Sequence, residues 1–360
     1  MFESSYRKPD KERMKATLIG QIPDRVPHFE VAIEDKVVKA ILGRDVGSTL
    51  AASRGASDAV FFAPPMDPHD YIDICNYTGQ DVIGFESLWV PLKYKDDKGN
   101  LHIINDGRIK NLDDLEQAIK PSWELDIEPR KKYFDLYNKA IEGTGVGLFY
   151  LTGCIFQSAY QFLNGFNDFF VNCYVDREFV EALMDVCVDF YLKIIDVALD
   201  SGLTFLFLAD DVAYKQGVFL EPGLFKELWL PRMKKLIKPA KEAGVPVMFH
   251  SCGNVTDIFE DIIMELGVDC INPIEPYSNN IFEIKKKYGD KITISGNIDI
   301  AGPLAFGTPE EVDAEVKDHL ERLMVGGRYI LSTNHSIMND IPIQNYDAML
   351  DALYKYGIYK

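Results

Sequence analysis

The sequence predicts a (β/α)8 barrel of the TIM type with a hairpin inserted over its mouth. Eight short apolar runs, rich in Val, Ile and Phe, alternate with stretches whose apolar residues recur every three or four positions. Continuous apolar runs are typical of strands buried on both faces, and such strands joined by helices form parallel sheets. Acids, imidazoles and a thiol follow almost every run, which is where barrel enzymes place their active sites.

The apolar runs define the expected strands. These strands are residues 25–31, 81–85, 146–151, 204–209, 246–250, 268–272, 292–295 and 328–332. A ninth run, 58–62, is interpreted as an excursion, and residues 89–105 indicate a hairpin because turn-forming residues separate two extended arms. A doubly wound open sheet is the competing architecture. It would need GxGxxG after the first strand to bind a dinucleotide, and that motif is absent.

Helices are expected between most of these strands. Residues 180–199 and 222–243 have helical periodicity, and residues 255–266 end at Gly267, a frequent helix stop. Residues 309–325 follow Thr308, a good N-cap. We interpret 1–360 as a single barrel domain in which residues 1–24 form an N-terminal helical extension.

Composition excludes several classes of protein. Of the 360 residues, 47% are hydrophobic and 26% are charged, which is typical of a globular chain and of neither disorder nor a membrane span. The net charge of −18 opposes nucleic-acid binding. The polar amino terminus lacks a signal-peptide core, and six cysteines are too few for a disulfide framework in a chain of this length, so we expect a cytoplasmic protein.

His250 and Cys252 form the sharpest motif, HSCGN. An imidazole and a thiol two positions apart can reach one point if the chain turns sharply, and Gly253 permits such a turn. Zinc prefers nitrogen and sulfur ligands, and a catalytic zinc uses three protein ligands. We therefore predict a zinc site, although Cys252 could instead be a small buried residue.

The third ligand must come from another strand. We predict His335, which follows the eighth strand, although this ring could also bind a substrate. Cys270 is the softer alternative, but it lies inside the sixth strand. Carboxylates are further alternatives: Glu30, Asp210 and Glu275.

The remaining polar residues at strand ends give the predicted acid–base and substrate-binding groups. Asp210 and Glu275 are the predicted catalytic residues, Asp210 as a general base beside Asp211 and Glu275 as a carboxylate held between prolines. The alternatives are a helix cap or solvent contact for the paired acids and a rigid loop for Glu275. The predicted substrate-binding residues are Glu30, Asp211, Asn297, Asp299 and Asn334.

Six segments resemble the uroporphyrinogen decarboxylase superfamily, which also contains zinc-dependent, corrinoid-linked methyltransferases. The segments are DRVPHFE at 24–30, ADDVAYKQG at 209–217, FHSCGNVT at 249–256, GVDCINPIEP at 267–276, ISGNID at 294–299 and GGRYILSTNHSI at 326–337. They occur in the family's order, and the resemblance covers most of the chain. The resemblance implies a distorted (β/α)8 barrel.

The residues favour the methyltransferase branch of this superfamily. The HxCG motif of that branch is present at 250–253, whereas the arginine-rich first-strand motif of the decarboxylase is missing between Arg25 and Arg44. The thiol-methylating members have a third cysteine ligand near the last strand, and this chain has His335 there instead. Because the decarboxylase has a histidine near this position too, His335 alone does not separate the branches.

The resemblance implies a methyl transfer between a small methyl ether, amine, alcohol or thiol and a corrinoid. The corrinoid would belong to a partner protein, because the chain lacks the cobalamin-binding DxHxxG motif, and that partner would dock near residues 89–105. Barrels of this family often pair, so a homodimer is an expected assembly. A metal-free decarboxylase using Asp210 and His335 is the alternative enzyme, and a ligand-binding protein without catalysis is the third hypothesis.

Overall fold

A computed structural model describes residues 8–50, 64–86, 93–95, 101–103, 109–118 and 127–360. Within these ranges, no helix has both the length and the apolar character that crossing a membrane requires. The predicted excursion at 58–62 lies outside the described residues.

Seven parallel strands form the central sheet, and their spatial order is their order along the chain. All six neighbouring pairs are parallel, which requires the long helical connections that join them. The strands are β1 (Val82–Glu86), β4 (Gly147–Thr152), β5 (Phe205–Ala209), β8 (Val247–His250), β9 (Cys270–Asn272), β10 (Thr293–Ser295) and β11 (Tyr329–Ile330). Each lies within one residue of its predicted run or inside it.

The chain near His28 closes the sheet into a barrel. His28 makes a parallel bridge to Gln80, just before β1, and a second parallel bridge to Leu331, just after β11. It therefore joins both edges of the seven-stranded sheet. The predicted first strand at 25–31 is present as this short bridging segment, and the predicted eight-stranded barrel is confirmed.

The helices cover the outside of the barrel. Buried residues of the helices and of the outward strand faces form a continuous apolar layer. The helices are α1 (Lys11–Leu18), α2 (Asp35–Leu42), α3 (Pro68–Thr78), α4 (Leu112–Ala118), α5 (Glu128–Ile141), α6 (Ile155–Gln157), α7 (Phe166–Val175), α8 (Arg177–Asp200), α9 (Pro222–Glu242), α10 (Ile281–Tyr288), α11 (Pro303–Phe306), α12 (Pro309–Leu323) and α13 (Ile343–Tyr356).

The predicted helix 255–266 is wrong as a single α-helix. Thr256–Ile258 is a 3-10 turn and Asp261–Leu266 is a π-helical turn, and Gly267 ends the segment at φ 70°. Apolar periodicity marks the buried face but does not distinguish tight from wide helical turns, and hydrogen bonding decides between them. The helices predicted at 180–199, 222–243 and 309–325 are observed within a few residues of their expected ends.

Aromatic rings fill the inside of the barrel. Phe149 and Phe205 stack at a centroid distance of 5.6 Å, and the edge of Phe29 contacts Phe149 at 5.3 Å. Met14 and Leu18 of α1 belong to the same buried cluster, so the N-terminal helix closes the bottom of the barrel. The open end, called the mouth here, is where the parallel strands finish.

Two short antiparallel pairs interrupt the helical layer. β6 (Ala213–Tyr214) and β7 (Gly217–Val218) form one hairpin directly after β5. β2 (Lys93–Lys95) and β3 (Leu101–Ile103) pair inside the predicted hairpin at 89–105. Its turn lies outside the described residues, and its location over the mouth stays a prediction.

Candidate metal centre

Asp211, His250 and Cys252 form the centre of the site. Their ligand atoms all lie within 4.8 Å of one another, and the sulfur of Cys252 is 3.6 Å from Nε2 of His250. His250 ends β8. Asp211 follows the neighbouring strand β5, whose Ala209 pairs with His250. Adjacent parallel strands therefore deliver the three groups to the same point at the mouth.

A tight turn brings Cys252 back toward His250. Gly253 has φ +84°, and a Cβ there would lie 2.6 Å from the backbone carbonyl carbon of Ala213. Only glycine avoids both the strained conformation and this clash. The backbone N–H of Cys252 donates to Oδ1 of Asp211 at 2.9 Å, which ties the turn to β5.

These three side chains fit a zinc ion. Tetrahedral bonds of about 2.0 Å to nitrogen and 2.3 Å to sulfur place the two ligand atoms roughly 3.5 Å apart. The observed Nε2–Sγ distance is 3.6 Å. The set of one nitrogen, one sulfur and one oxygen donor suits a catalytic zinc, which keeps a fourth position for substrate.

The electrostatics of the site favour a cation. Burial, and after it the carboxylates of Asp211 and Glu275, raises the pKa of the Cys252 thiol well above its ordinary value. A positive ion beside the sulfur would reverse this effect by stabilising the thiolate.

A buried hydrogen-bond chain lies behind His250. Nδ1 of His250 is 2.7 Å from Oδ1 of Asn272, the last residue of β9. The amide nitrogen of Asn272 donates to Ser295 Oγ at 3.0 Å and to Ser332 Oγ at 3.4 Å. The ring nitrogen Nε2 is left facing Cys252.

His335, the predicted third ligand, is not part of this group. Among the described residues, the group of metal-ligand atoms within 4.8 Å contains Asp211 in its place. Desolvation, and after it the charge of His250, lowers the pKa of His335, so the two imidazoles lie near each other. Cys270, the alternative, is buried in the barrel interior, where its sulfur contacts the Ile271 carbonyl at 3.7 Å.

Asp210 points to a different environment from its neighbour Asp211. Its carboxylate accepts hydrogen bonds from the backbone of Phe156 at 3.0 Å and of Gln157 at 2.9 Å, and from the indole of Trp229 at 3.0 Å. It is fully buried, and burial raises its pKa to about 7 in spite of these donors. The geometry therefore supports a structural role for Asp210, which anchors α6, rather than the predicted general base.

Glu275, the other predicted catalytic residue, lies beside the metal centre. It is half-buried, and its charge acts on both Cys252 and His335. The preceding Ile274 has φ 59°, and Nδ2 of Asn297 donates to its carbonyl at 2.5 Å. This hydrogen bond ties the turn that carries Glu275 to the residues that follow the neighbouring strand β10.

The other predicted substrate-binding residues mainly bind the protein itself. Glu30 is buried between His28, at 3.1 Å, and the hydroxyl of Thr333, at 2.6 Å. Asp299 accepts a hydrogen bond from Tyr277 at 2.5 Å, and Asn334 accepts one from the backbone of Ile300 at 3.0 Å. These residues and Asn297 shape the loops at the mouth.

The sequence does not indicate that Asp211 and Asn272 belong to the candidate metal site. Asp211 is a predicted substrate-binding residue, and Asn272 ends the predicted strand at 268–272 without an assigned role. Both follow apolar runs, which is a usable signal, but the direction of each side chain depends on the adjacent strand.

Three comparisons relate the chain to known proteins. A family model described as Uroporphyrinogen decarboxylase (URO-D) matches residues 81–356. Methylcobamide:CoM methyltransferase MtbA from Methanosarcina mazei is 29% identical over 303 residues, which cover 77% of this chain and 82% of the relative. Uroporphyrinogen decarboxylase from Actinobacillus pleuropneumoniae is 25% identical over 188 residues, covering 51% of this chain and 50% of the relative.

A solved structure supports the fold. A methyltransferase from Methanosarcina mazei superposes with a TM-score of 0.72 at 18% identity, over 96% of this chain and 98% of that one. At this identity the likeness shows that the two chains share a fold.

Proposed function

The chain belongs to the uroporphyrinogen decarboxylase (URO-D) family, and from this premise we propose that it is a corrinoid-dependent methyltransferase with a zinc centre. The observation that carries the proposal is the grouping of Asp211, His250 and Cys252 at the mouth of the barrel. The relative named as a methylcobamide:CoM methyltransferase supports the same reaction class.

The reaction would move a methyl group between a small substrate and a corrinoid on a partner protein. The methyl group would exchange its bond to a substrate oxygen, nitrogen or sulfur for a bond to the partner's corrinoid. The heteroatom would keep the electron pair of the broken bond and take up a proton, and the reverse direction would release that proton. When bound, zinc would supply a Lewis acid for the substrate heteroatom. His250, Cys252 and Asp211 would hold the ion, and the open side of the mouth admits the substrate.

Glu275 and His335 are the titratable groups placed to assist. Both lie at the mouth beside the centre, as their electrostatic interactions with Cys252 and His250 indicate. We propose that they orient the substrate and exchange a proton with its heteroatom. Asp210 acts as a positioning residue, because its oxygens bind the donors that hold α6.

The test combines metal analysis with methyl transfer. Purified protein should contain one zinc per chain and should methylate free cob(I)alamin from at least one methyl ether, amine, alcohol or thioether, a change visible in the absorption spectrum. Cys252→Ala should lose both the zinc and the activity.

Cys173→Ala is the matched control for removing a thiol. Cys173 is buried in α7 and belongs to no group of metal ligands in the described part of the chain. It should keep zinc and activity. Wild-type protein that holds no metal after refilling with zinc would contradict the proposal.

A metal-free decarboxylase is the second candidate, favoured by the relatives named as uroporphyrinogen decarboxylases. Decarboxylation should not need the Cys252 thiol. If Cys252→Ala decarboxylates a porphyrinogen as fast as the wild type does, this candidate replaces the methyltransferase.

A further inference from the structure

The hydrogen-bond chain behind His250 has a fixed direction. It ends at the backbone carbonyl of Thr333, which can only accept, and the Ser332 hydroxyl donates to it at 3.2 Å. The Ser295 hydroxyl is 3.0 Å from Ser332 Oγ, so it must be the donor in that contact. Both hydroxyl protons are then used, so the contacts between Asn272 and the two serine oxygens need protons from the Asn272 amide nitrogen.

This direction determines which atom of Asn272 faces the imidazole. With the amide nitrogen bound to the serines, Oδ1 is the atom 2.7 Å from Nδ1 of His250. An amide oxygen only accepts, so Nδ1 must carry the proton and Nε2 keeps its lone pair. A flipped amide would leave only the two serine hydroxyl protons for the four contacts among Asn272, Ser295, Ser332 and the Thr333 carbonyl, so two of these contacts would have no proton.

We propose that Asn272 is a positioning residue that holds His250 in the Nδ1–H tautomer and aims the Nε2 lone pair at the metal position. The effect of Asn272 on metal binding rests on the proposed function, whereas the tautomer of His250 does not depend on that function. Asn272 is 1% exposed and Ser295 is fully buried, so water does not compete for these contacts. Partners of this kind typically change metal affinity by about 10–100-fold.

The test measures zinc affinity and the His250 tautomer in the full-length protein. Asn272→Leu removes the acceptor and should weaken zinc binding about 10–100-fold in competition with a chelator. Asn272→Asp keeps an acceptor and should stay within about threefold of the wild type. In metal-free protein labelled with ¹⁵N-histidine, wild type and Asn272→Asp should show the Nδ1–H form of His250, and Asn272→Leu should show the Nε2–H form or a mixture.

Asn345→Leu is the matched control for a lost buried amide. Asn345 is also 1% exposed, and its Nδ2 donates to three backbone carbonyls, those of Pro303, Leu304 and Gly307. This variant should lose stability but keep wild-type zinc affinity. If Asn272→Leu does not fold, the double change Ser295→Ala and Ser332→Ala removes the anchor and should produce the mixed tautomer.

Two outcomes would overturn the inference. One is an Nε2–H tautomer in the metal-free wild type, and the other is wild-type zinc affinity in Asn272→Leu. If the wild type binds no zinc but shows the Nδ1–H tautomer that depends on Asn272, the positioning role stands and the proposed function fails.

Discussion

At the residue scale, the proposed metal binding depends on which third side chain lies beside His250 and Cys252. The ligand atom of Asp211 lies within 4.8 Å of theirs, whereas His335 lies outside this group and interacts electrostatically with His250. Asp210 is adjacent in sequence to Asp211, yet three donors hold it away in a structural role. Neighbouring residues of one sequence motif therefore lie in different environments.

We predict that Asp211→Asn lowers zinc affinity by more than tenfold, because an amide oxygen is a poorer zinc ligand than a carboxylate. His335→Asn should leave the affinity within about threefold and should act mainly on turnover. Competition with a chelator measures the first effect, and methyl transfer at saturating zinc measures the second. The opposite pattern would identify His335 as the third ligand.

A second prediction concerns Glu315 of α12, whose Oε1 accepts the backbone N–H of Asp299 at 3.2 Å. Burial, and after it the charge of Asp299, raises the pKa of Glu315 from 4.5 to about 7. The folded protein thus prefers the protonated form of Glu315. The stability that protonated Glu315 contributes is fully present below pH 4.5 and is lost as the pH rises through about 7.

Glu315→Gln should therefore raise the free energy of unfolding at pH 8 by about 1–3 kcal/mol and have little effect at pH 4.5. Urea unfolding at the two pH values measures this. Glu321→Gln, an exposed change on the same helix, should show no such difference between pH values. Equal effects of Glu315→Gln at both pH values would contradict the prediction.

At the scale of elements, the site is built from strand ends and the turns that follow them. β5, β8 and β9 end at adjacent positions, and each contributes one part: Asp211, the His250–Cys252 pair and Asn272. The turn after β8 is constrained, because Gly253 packs against the backbone of the β6–β7 hairpin. Stability of this turn and metal binding should therefore be coupled.

Gly253→Ala tests that coupling. Its Cβ would lie 2.6 Å from a backbone atom of Ala213 at φ +84°, so we expect weaker zinc binding together with a loss of more than about 2 kcal/mol of unfolding free energy. Gly43→Ala has a similar φ of +70° with no atom within 4 Å, so it should lose only about 1 kcal/mol and keep its zinc. Equal zinc affinities in both variants would contradict the expectation.

At the scale of the whole molecule, one short segment closes the barrel. His28 bridges both edges of the seven-stranded sheet, and Glu30 joins this segment to Thr333 beyond β11. The N-terminal helix α1 closes the other end through Met14 and Leu18. The extent of the domain, the homodimer and the cytoplasmic location stay predictions.

Thr333→Val should test the closure. It removes the hydroxyl that donates to Glu30 at 2.6 Å in a buried environment, at a cost of about 1–3 kcal/mol. Thr17→Val removes a hydroxyl that donates to the Arg13 carbonyl within one helix, and it should cost about 1 kcal/mol or less. Thermal unfolding compares the two, and a smaller loss in Thr333→Val would argue against closure through Glu30.

The amino-acid sequence alone predicts the strands, the order of the helices and the His250–Cys252 pair, because apolar runs and turn residues act locally. Three features depend on the folded chain: that Asp211 rather than Asp210 faces the site, that Asn272 orients His250, and that Glu30 belongs to the closing segment. A side chain at a strand end points where the neighbouring strand and turn allow, and such contacts join residues that are tens to hundreds of positions apart in the chain.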